Sequence, residues 1–310
     1  MGRKKITVVG AGNVGATTAH IAAGKELGDI VLLDIVEGLA EGKALDMSQG
    51  SAIELYDSKI VGTGDWEHAA GSDIVIITSG LPRRPGMSRD DLLAKNTGIV
   101  KSVTEHVVEH CPESFIIVVC NPLDAMVYTA AEISGFAKNK VMGMAGALDC
   151  ARYNYFITTE LGVGVDEIES ILMGGHGDDM VPLPRFTTVR GEPLVDLLSQ
   201  EKIDAIIERT RKGGIEIVNL LGYSAYYAPA SGAVKMAEAI LKDRKSIISC
   251  CVYCDKEYDA GGYFVGVPAI LGANGVEKII ELDLNQSERA LFEKSLAHVK
   301  ELSQKVRGLL

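Results

Sequence analysis

Three groups of residues in this chain have types and spacings suited to chemistry on a small anion. His176 sits in MGGHGD, where an unperturbed imidazole pKa of ~6.5 suits proton exchange near neutral pH. Transfer of this kind typically contributes ~10²- to 10⁴-fold in rate. The flanking glycines keep this histidine off an apolar helix face and leave room beside its ring for a substrate. Asp149 and Arg152, in GALDCARYN, are three residues apart and so share one face of a helix. Such an arginine could grip a carboxylate with two parallel bonds while the aspartate orients an imidazole, although the spacing alone is that of an ordinary helix salt bridge. The third group is the loop Gly80 to Asp90, GLPRRPGMSRD, with Arg83, Arg84 and Arg89. In an acidic protein that concentration of arginine reads either as an anion-binding loop or as a solvated basic one. Pro82, Pro85 and Gly86 make it irregular, and its position between a strand and a helix would let it swing as a lid.

The elements that must position these groups begin with Ile6 to Asp34. A β-branched run, Ile6 to Val9, is cut by Gly10, Gly12 and Gly15 in a G-x-G-x-x-G turn, and an alanine-rich helix follows. A second apolar strand, Ile30 to Leu33, then ends in Asp34 about twenty residues beyond the glycines, as a dinucleotide site requires. Gly10 permits the sharp turn, Gly12 lets the backbone approach a pyrophosphate, and Gly15 lets the helix close on the sheet. The helix N-terminus would face the phosphates with free N–H groups. Asp34 could accept bonds from both ribose hydroxyls and would repel a 2′-phosphate, and no Arg or Lys lies between Ile35 and Gly42. The expected cofactor is therefore NAD rather than NADP.

The first half continues to alternate. A helix is expected from Glu37 to about Ile53, and strands near Lys59 to Val61 and at Asp73 to Ser79. A long helix, Asp91 to His110, then leads to strands at Phe115 to Val119 and Val141 to Met144. Six short apolar strands with intervening helices imply an α/β unit, a Rossmann-type doubly wound parallel sheet, over residues 1–146. From about Asp149 the rhythm changes. A strand is expected at Ile168 to Met173, short strands at Thr187 to Val189 and Pro193 to Val195, and helices at Ile203 to Leu221 and Gly232 to Leu241. Antiparallel strands at Ile247 to Asp255 and Tyr263 to Leu271 precede a terminal helix, Ser287 to Val306. This describes an α+β substrate and catalytic domain, residues 147–310, joined to the first without a linker.

Bulk properties narrow the partners. A formal net charge of −11 argues against a nucleic-acid footprint, and no apolar run approaches membrane-spanning length. The first strand starts directly after MGRKK, which leaves no room for a targeting segment, so the cytoplasm is expected. Cys250, Cys251 and Cys254 form a C-x-x-C inside a strand-like run and read as packed, reduced thiols. No metal is expected: no H-x-x-x-H or Cys/His cluster accompanies His176. His20, His68, His106, His110 and His298 read as structural or exposed.

GAGNVG with Asp34, LPRRPGMSRDDLLAKN, VCNPLDAM, GMAGALDCAR and GGHGDDMVPLP together resemble the lactate/malate dehydrogenase family, and within it the lactate-dehydrogenase-like malate dehydrogenases. The resemblance covers nearly the whole chain. It implies reversible hydride transfer between (S)-malate and NAD, a step of the tricarboxylic acid cycle, with His176 as proton acceptor or donor and Asp149 holding its tautomer. It implies that Arg152 grips the carboxylate beside the reacting carbon, that Arg89 polarises the carbonyl, and that Asn121 bonds near the same centre. Arg83 would pair the second carboxylate, where lactate users typically have glutamine. Gly10, Ala11, Gly12, Asn13, Val14, Gly15, Asp34, Asn96, Val119, Cys120 and Asn121 would contact NAD. The resemblance also implies a homodimer or homotetramer, and apolar helices at Asp46 to Leu55 and Ile203 to Leu221 could bury themselves between subunits.

Three positions depart from the family pattern. Asp179 stands where a hydroxyl residue is more usual and adds negative charge near an anion site, Cys150 replaces a common serine, and Asn154 replaces a frequent basic residue. The competing readings are an L-lactate or other 2-hydroxyacid dehydrogenase, which Arg83 opposes, an NAD-dependent glycosidase, which needs a metal-binding set, and a non-catalytic NAD sensor, which has no use for His176, Asp149 and the arginines.

Overall fold

A computed structural model of the chain describes residues 2–82 and 86–310. The expected Arg83 and Arg84 sites lie outside the described residues. In the first half β1 (Lys5–Val9), α1 (Asn13–Gly24), β2 (Asp29–Leu33), α2 (Glu37–Glu54), β3 (Ile60–Thr63) and β4 (Ile74–Ile77) are followed by α3 (Arg89–His110), β5 (Phe115–Val118), α4 (Leu123–Ser134), β6 (Val141–Gly143) and α5 (Ala145–Leu161). The strands lie parallel in the order β3-β2-β1-β4-β5-β6, so the winding reverses between β1 and β4. Ligands of such sheets bind at that reversal, beyond the C-terminal strand ends. Ile6, Val8, Ile30, Leu32, Ile74 and Ile76 are almost completely buried, as expected where helices cover both faces. Each such side chain contributes ~1.5–3 kcal/mol of burial.

The register brings the chemistry to one edge. Val9 pairs with Leu33 and with Ile77, Ile77 with Val118, and Val118 with Gly143. The residues that follow, Gly10, Asp34, Thr78, Val119 and Met144, therefore all leave the sheet on the same side. Polypeptide direction alone, five parallel strands ending level, converts scattered sequence positions into a single rim.

The second half mostly extends this same sheet and adds a small three-stranded one. Its strands are β7 (Ile168–Glu169), β8 (Leu172–Gly174), β9 (Met180–Pro182), β10 (Thr188–Val189), β11 (Glu192–Pro193), β12 (Ser246–Cys254), β13 (Tyr263–Gly272) and β14 (Gly275–Ile279). Its helices are α6 (Leu194–Leu197), α7 (Gln200–Leu221), α8 (Tyr227–Leu241) and α9 (Gln286–Arg307). β12 pairs with β6 through Cys251 and Gly143, and β13 and β8 extend the same sheet outward. Cys250, Cys251 and Cys254 are free thiols fully buried within β12.

Two expectations are corrected. The run Ile168 to Met173 is two strands: β7 joins the small sheet with β10 and β11, whereas β8 joins the large one. Ser170 separates them, its hydroxyl donating to Asn154 Oδ1 at 2.5 Å. The expected strand Pro193 to Val195 stops at Pro193, which becomes the residue before α6. Proline has no N–H for a ladder and its fixed φ suits a helix start.

Candidate active site

The glycine turn fits a dinucleotide. Gly10 adopts φ +103°, and a Cβ there would lie 2.9 Å from Ser79 N and Thr78 Oγ1. A Cβ on Gly15 would run into the Gly10 carbonyl oxygen, so Gly15 is what lets α1 sit down on the turn. Gly12, by contrast, has nothing within 4 Å of its missing Cβ; it faces open space where a pyrophosphate could lie against the backbone. Gly12 is also the N-cap of α1 and makes no side-chain cap bond, which leaves N–H groups for an anion. Asp34 Oδ2 accepts from Ala11 N at 2.6 Å and Oδ1 from Val36 N at 2.9 Å. Each carboxylate oxygen has a second lone pair to spare, which is the capacity that ribose hydroxyls need. One cation escaped the sequence reading because it lies just past the stretch inspected: Lys43 Nζ donates to Ala11 O at 2.7 Å, so the lysine is spent on the turn itself.

A cleft of about 550 Å³ runs from this turn into the second half of the chain. Gly12 to Gly15, Gly80 to Pro82 and Val119 to Asn121 line one end, and Arg152, His176, Gly177, Arg211 and Tyr226 line the other. Asn96 sits behind rather than in it, 1% exposed. Its Nδ2 donates to Leu81 O at 3.1 Å and Asn121 O at 2.6 Å, and its Oδ1 accepts from Leu81 N at 2.8 Å. The amide thus ties the loop after β4 to the turn after β5 and holds both against the cleft.

His176 Nδ1 and Asp149 Oδ2 are 2.9 Å apart. Twenty-seven residues separate them in sequence, and α5 on one side and the end of β8 on the other bring them together. The bond leaves Nε2 as the nitrogen available to a ligand. Burial by itself pushes the imidazole pKa down, but the Asp149 charge and hydrogen bond, with the Asp124 charge behind them, push it up further. The net result is a pKa raised above the ordinary 6.5, against a smaller opposing push from Arg152.

Arg152 lies on the same face of α5, its Nη1 3.7 Å from Asp149 Oδ1. That is too long for a hydrogen bond, and among the described residues neither Asp149 Oδ1 nor Arg152 Nε, both buried, has a hydrogen-bond partner. Burial pulls the guanidinium pKa down and Asp149 pulls it back. A mostly buried guanidinium whose Nε has no partner among the described residues, and whose one ion pair is long, is primed for an anion, because buried N–H groups left unbonded are costly. Gly213 and Gly214 of α7 make this possible: a Cβ on Gly213 would lie 3.2 Å from Arg152 Cδ, and one on Gly214 3.6 Å from Nη2. Sequence reasoning passed over this glycine pair; glycines side by side inside a long helix were the available signal.

The glycines around His176 divide their work differently from expectation. Gly174 and Gly175 make room for α9 and α4, not for a substrate: a Cβ on Gly174 would lie 2.5 Å from Ser295 Oγ, and one on Gly175 3.1 Å from Val299. Gly177 alone, at φ +84° with nothing within 4 Å, opens space beside the ring. Asp124, in the VCNPLDAM segment, was missed altogether. Its buried Oδ2 accepts the His176 backbone N–H at 3.0 Å, which pins the main chain of the histidine while Asp149 pins the ring. Arg211 was also missed; it lines the cleft with its Nη2 3.4 Å from Met180 O.

Arg89 opens α3 immediately after the Ser88 cap. Its exposed guanidinium lies 3.7 Å from Asp178 Oδ2 at the rim, so the structure brings it to the histidine loop and not to His176 itself. Asp179 turns away from the cleft: its carboxylate bonds to His298 of α9, and its carbonyl accepts from Ser295. The extra negative charge thus faces the outer helix.

Residues 4–143 match the lactate/malate dehydrogenase NAD binding domain, and residues 146–308 match the lactate/malate dehydrogenase alpha/beta C-terminal domain. A malate dehydrogenase of Rhodopirellula baltica is 56% identical across all of this chain and 99% of its own. The structure of a malate dehydrogenase from Salinibacter ruber superposes with a TM-score of 0.95 at 51% identity, covering 98% of each chain. A lactate dehydrogenase of Cryptosporidium parvum, solved with lactic acid and nicotinamide adenine dinucleotide, gives 0.96 at 42% identity over 99% of each chain. Matched over both halves, this chain belongs to the lactate/malate dehydrogenase family.

Proposed function

We propose that the chain is an NAD-dependent malate dehydrogenase that interconverts (S)-malate and oxaloacetate. The observation that carries this reading is the buried His176–Asp149 pair with the under-bonded Arg152 guanidinium beside it, in one cleft with the glycine turn. NAD supplies the acceptor for hydride from malate C2. His176 Nε2 takes the hydroxyl proton as malate is oxidised and returns it when oxaloacetate is reduced. Asp149 fixes the tautomer and stabilises the imidazolium. Arg152 holds the carboxylate next to the reacting carbon, Arg83 pairs the second carboxylate, and Arg89 with Asn121 stabilises charge on the carbonyl oxygen. Gly10 to Gly15, Asp34 and Val119 to Asn121 hold NAD, and Asn96 supports them through the Leu81 and Asn121 backbone.

A boundary at 146/147 goes with this reading; it falls in the first turn of α5, the helix that packs on α7 and β12. So does a homodimer or homotetramer, supported by the exposure of Ile53 on α2, Leu55 at its C-terminal cap and Leu220 on α7. We assign the enzyme to the cytoplasm; among the described residues no helix is long and apolar enough to cross a membrane.

Initial-rate NADH oxidation at saturating cofactor tests the assignment, with oxaloacetate and pyruvate compared on one preparation. A large excess of kcat/KM for oxaloacetate is expected; equal or reversed rates transfer the chain to the lactate or general 2-hydroxyacid reading. A second expectation concerns pH. Oxaloacetate reduction needs the imidazolium, so its kcat/KM falls as pH rises through the His176 pKa. Asp149→Asn removes the charge that raises that pKa and leaves burial, which lowers it. The fall then moves to lower pH, and an unmoved profile would show that Asp149 does not set the titration.

A further inference from the structure

The structure assigns a second ligand site far from the cleft: we propose that His106, Glu109 and His110, at the C-terminal end of α3, form a surface site for a borderline divalent transition-metal ion such as Ni²⁺ or Zn²⁺. The sequence HVVEH places the two histidines at i and i+4, one above the other on a helix face. One ligand atom from each of the three residues lies within 4.8 Å of the others. Two nitrogens on one tetrahedral ion stand ~3.3 Å apart, given bonds of ~2.0–2.1 Å, so small side-chain rotations close the set. Imidazole with one carboxylate is a donor set that favours zinc, nickel and copper over magnesium or calcium.

Three surrounding features argue that the set is organised for this. Trp66 stacks on His106 at 5.0 Å between ring centroids and lies 6.2 Å from the His110 ring, which restricts both imidazoles before any ion arrives. Glu67 Oε1 and Glu109 Oε2 flank opposite nitrogens of His110, at 3.9 and 3.7 Å. Glu67, beyond hydrogen-bond reach, adds negative charge beside the site rather than fixing the ring. The last turn of α3 also presents the negative end of the helix dipole to a cation. His106 and His110 lie 17 and 21 residues along α3 from Arg89, ~25–32 Å at ~1.5 Å per residue, so the site is separate from the catalytic cleft.

Trp66 is the chain's single tryptophan and therefore a local reporter. Ni²⁺, a paramagnetic quencher, is titrated into the full-length protein while Trp66 fluorescence is followed, and Zn²⁺ binding is measured in parallel by calorimetry. Saturable quenching and one Zn²⁺ per chain are expected. Loss of one outer partner typically costs ~10- to 100-fold in metal affinity, so His106→Asn and His110→Asn should each weaken binding at least ~10-fold, and the double variant should abolish it. Both residues are at the surface end of a long helix, and circular dichroism checks that the fold is kept. Non-saturable quenching with no calorimetric binding in the wild type, or unchanged affinity in the double variant, overturns the site.

Discussion

His176→Asn lowers kcat by ~10²- to 10⁴-fold in both directions, the contribution of a positioned acid-base group, while NADH affinity stays within a few-fold of wild type. The asymmetry follows from where the contacts lie. The ring nitrogen exchanges the proton, and asparagine has no titrating group to replace it. The main chain of residue 176 is held separately, by its N–H to Asp124 Oδ2 at 3.0 Å, so the loop keeps its path. The glycine turn and Asp34 belong to the other half of the chain and are untouched. Stopped-flow turnover together with an NADH fluorescence titration separates the two quantities. Near-normal turnover would remove His176 from the proton relay; lost NADH binding would mean that the residue is structural.

Arg83→Gln is the second large effect, and its signature is a ratio. With oxaloacetate the arginine would make charge-assisted bonds worth ~1.5–3 kcal/mol each, commonly two to one carboxylate. With pyruvate the same guanidinium is left unmatched, at a further cost. Exchanging it for a neutral amide should therefore shift the oxaloacetate-to-pyruvate ratio of kcat/KM by at least ~10²-fold. The described residues on the near side of this position, Gly80, Leu81 and Pro82, line the same cleft as His176 and Arg152. An unchanged ratio would assign selection of the second carboxylate to another group. Arg211, which lines the same cleft with an Nε that has no partner among the described residues, is the next residue to examine.

Much of the cofactor end was legible because its constraints are local. Gly10 must take a positive φ, Gly15 must lack a Cβ, and Asp34 must follow the next strand; all three fall within one βαβ unit. The helices and strands of the first half were legible for the same reason, since apolar periodicity acts over one or two turns. The misreadings also had local causes. The apolar run through Ile168 and Met173 carries no mark of the sheet change at Ser170, and Pro193 serves equally as the end of a strand and the start of a helix.

The sequence by itself determined the βαβ framework, the NAD-type turn and the residue types able to exchange a proton and bind carboxylates. Only the tertiary structure decided which of them meet. His176 reaches Asp149 across 27 positions and Asp124 across 52, and Asp179 is drawn to His298 across 119. Trp66 stacks on His106 only because its short helix packs on the end of α3. Such pairings depend on how strands β6, β12, β13 and β8 join one sheet and how α5, α7 and α9 pack on it, and no window of sequence contains those contacts. Local conformational preference acts over a few residues, whereas the burial and electrostatics that tune a site arise from neighbours that the chain brings together only by folding.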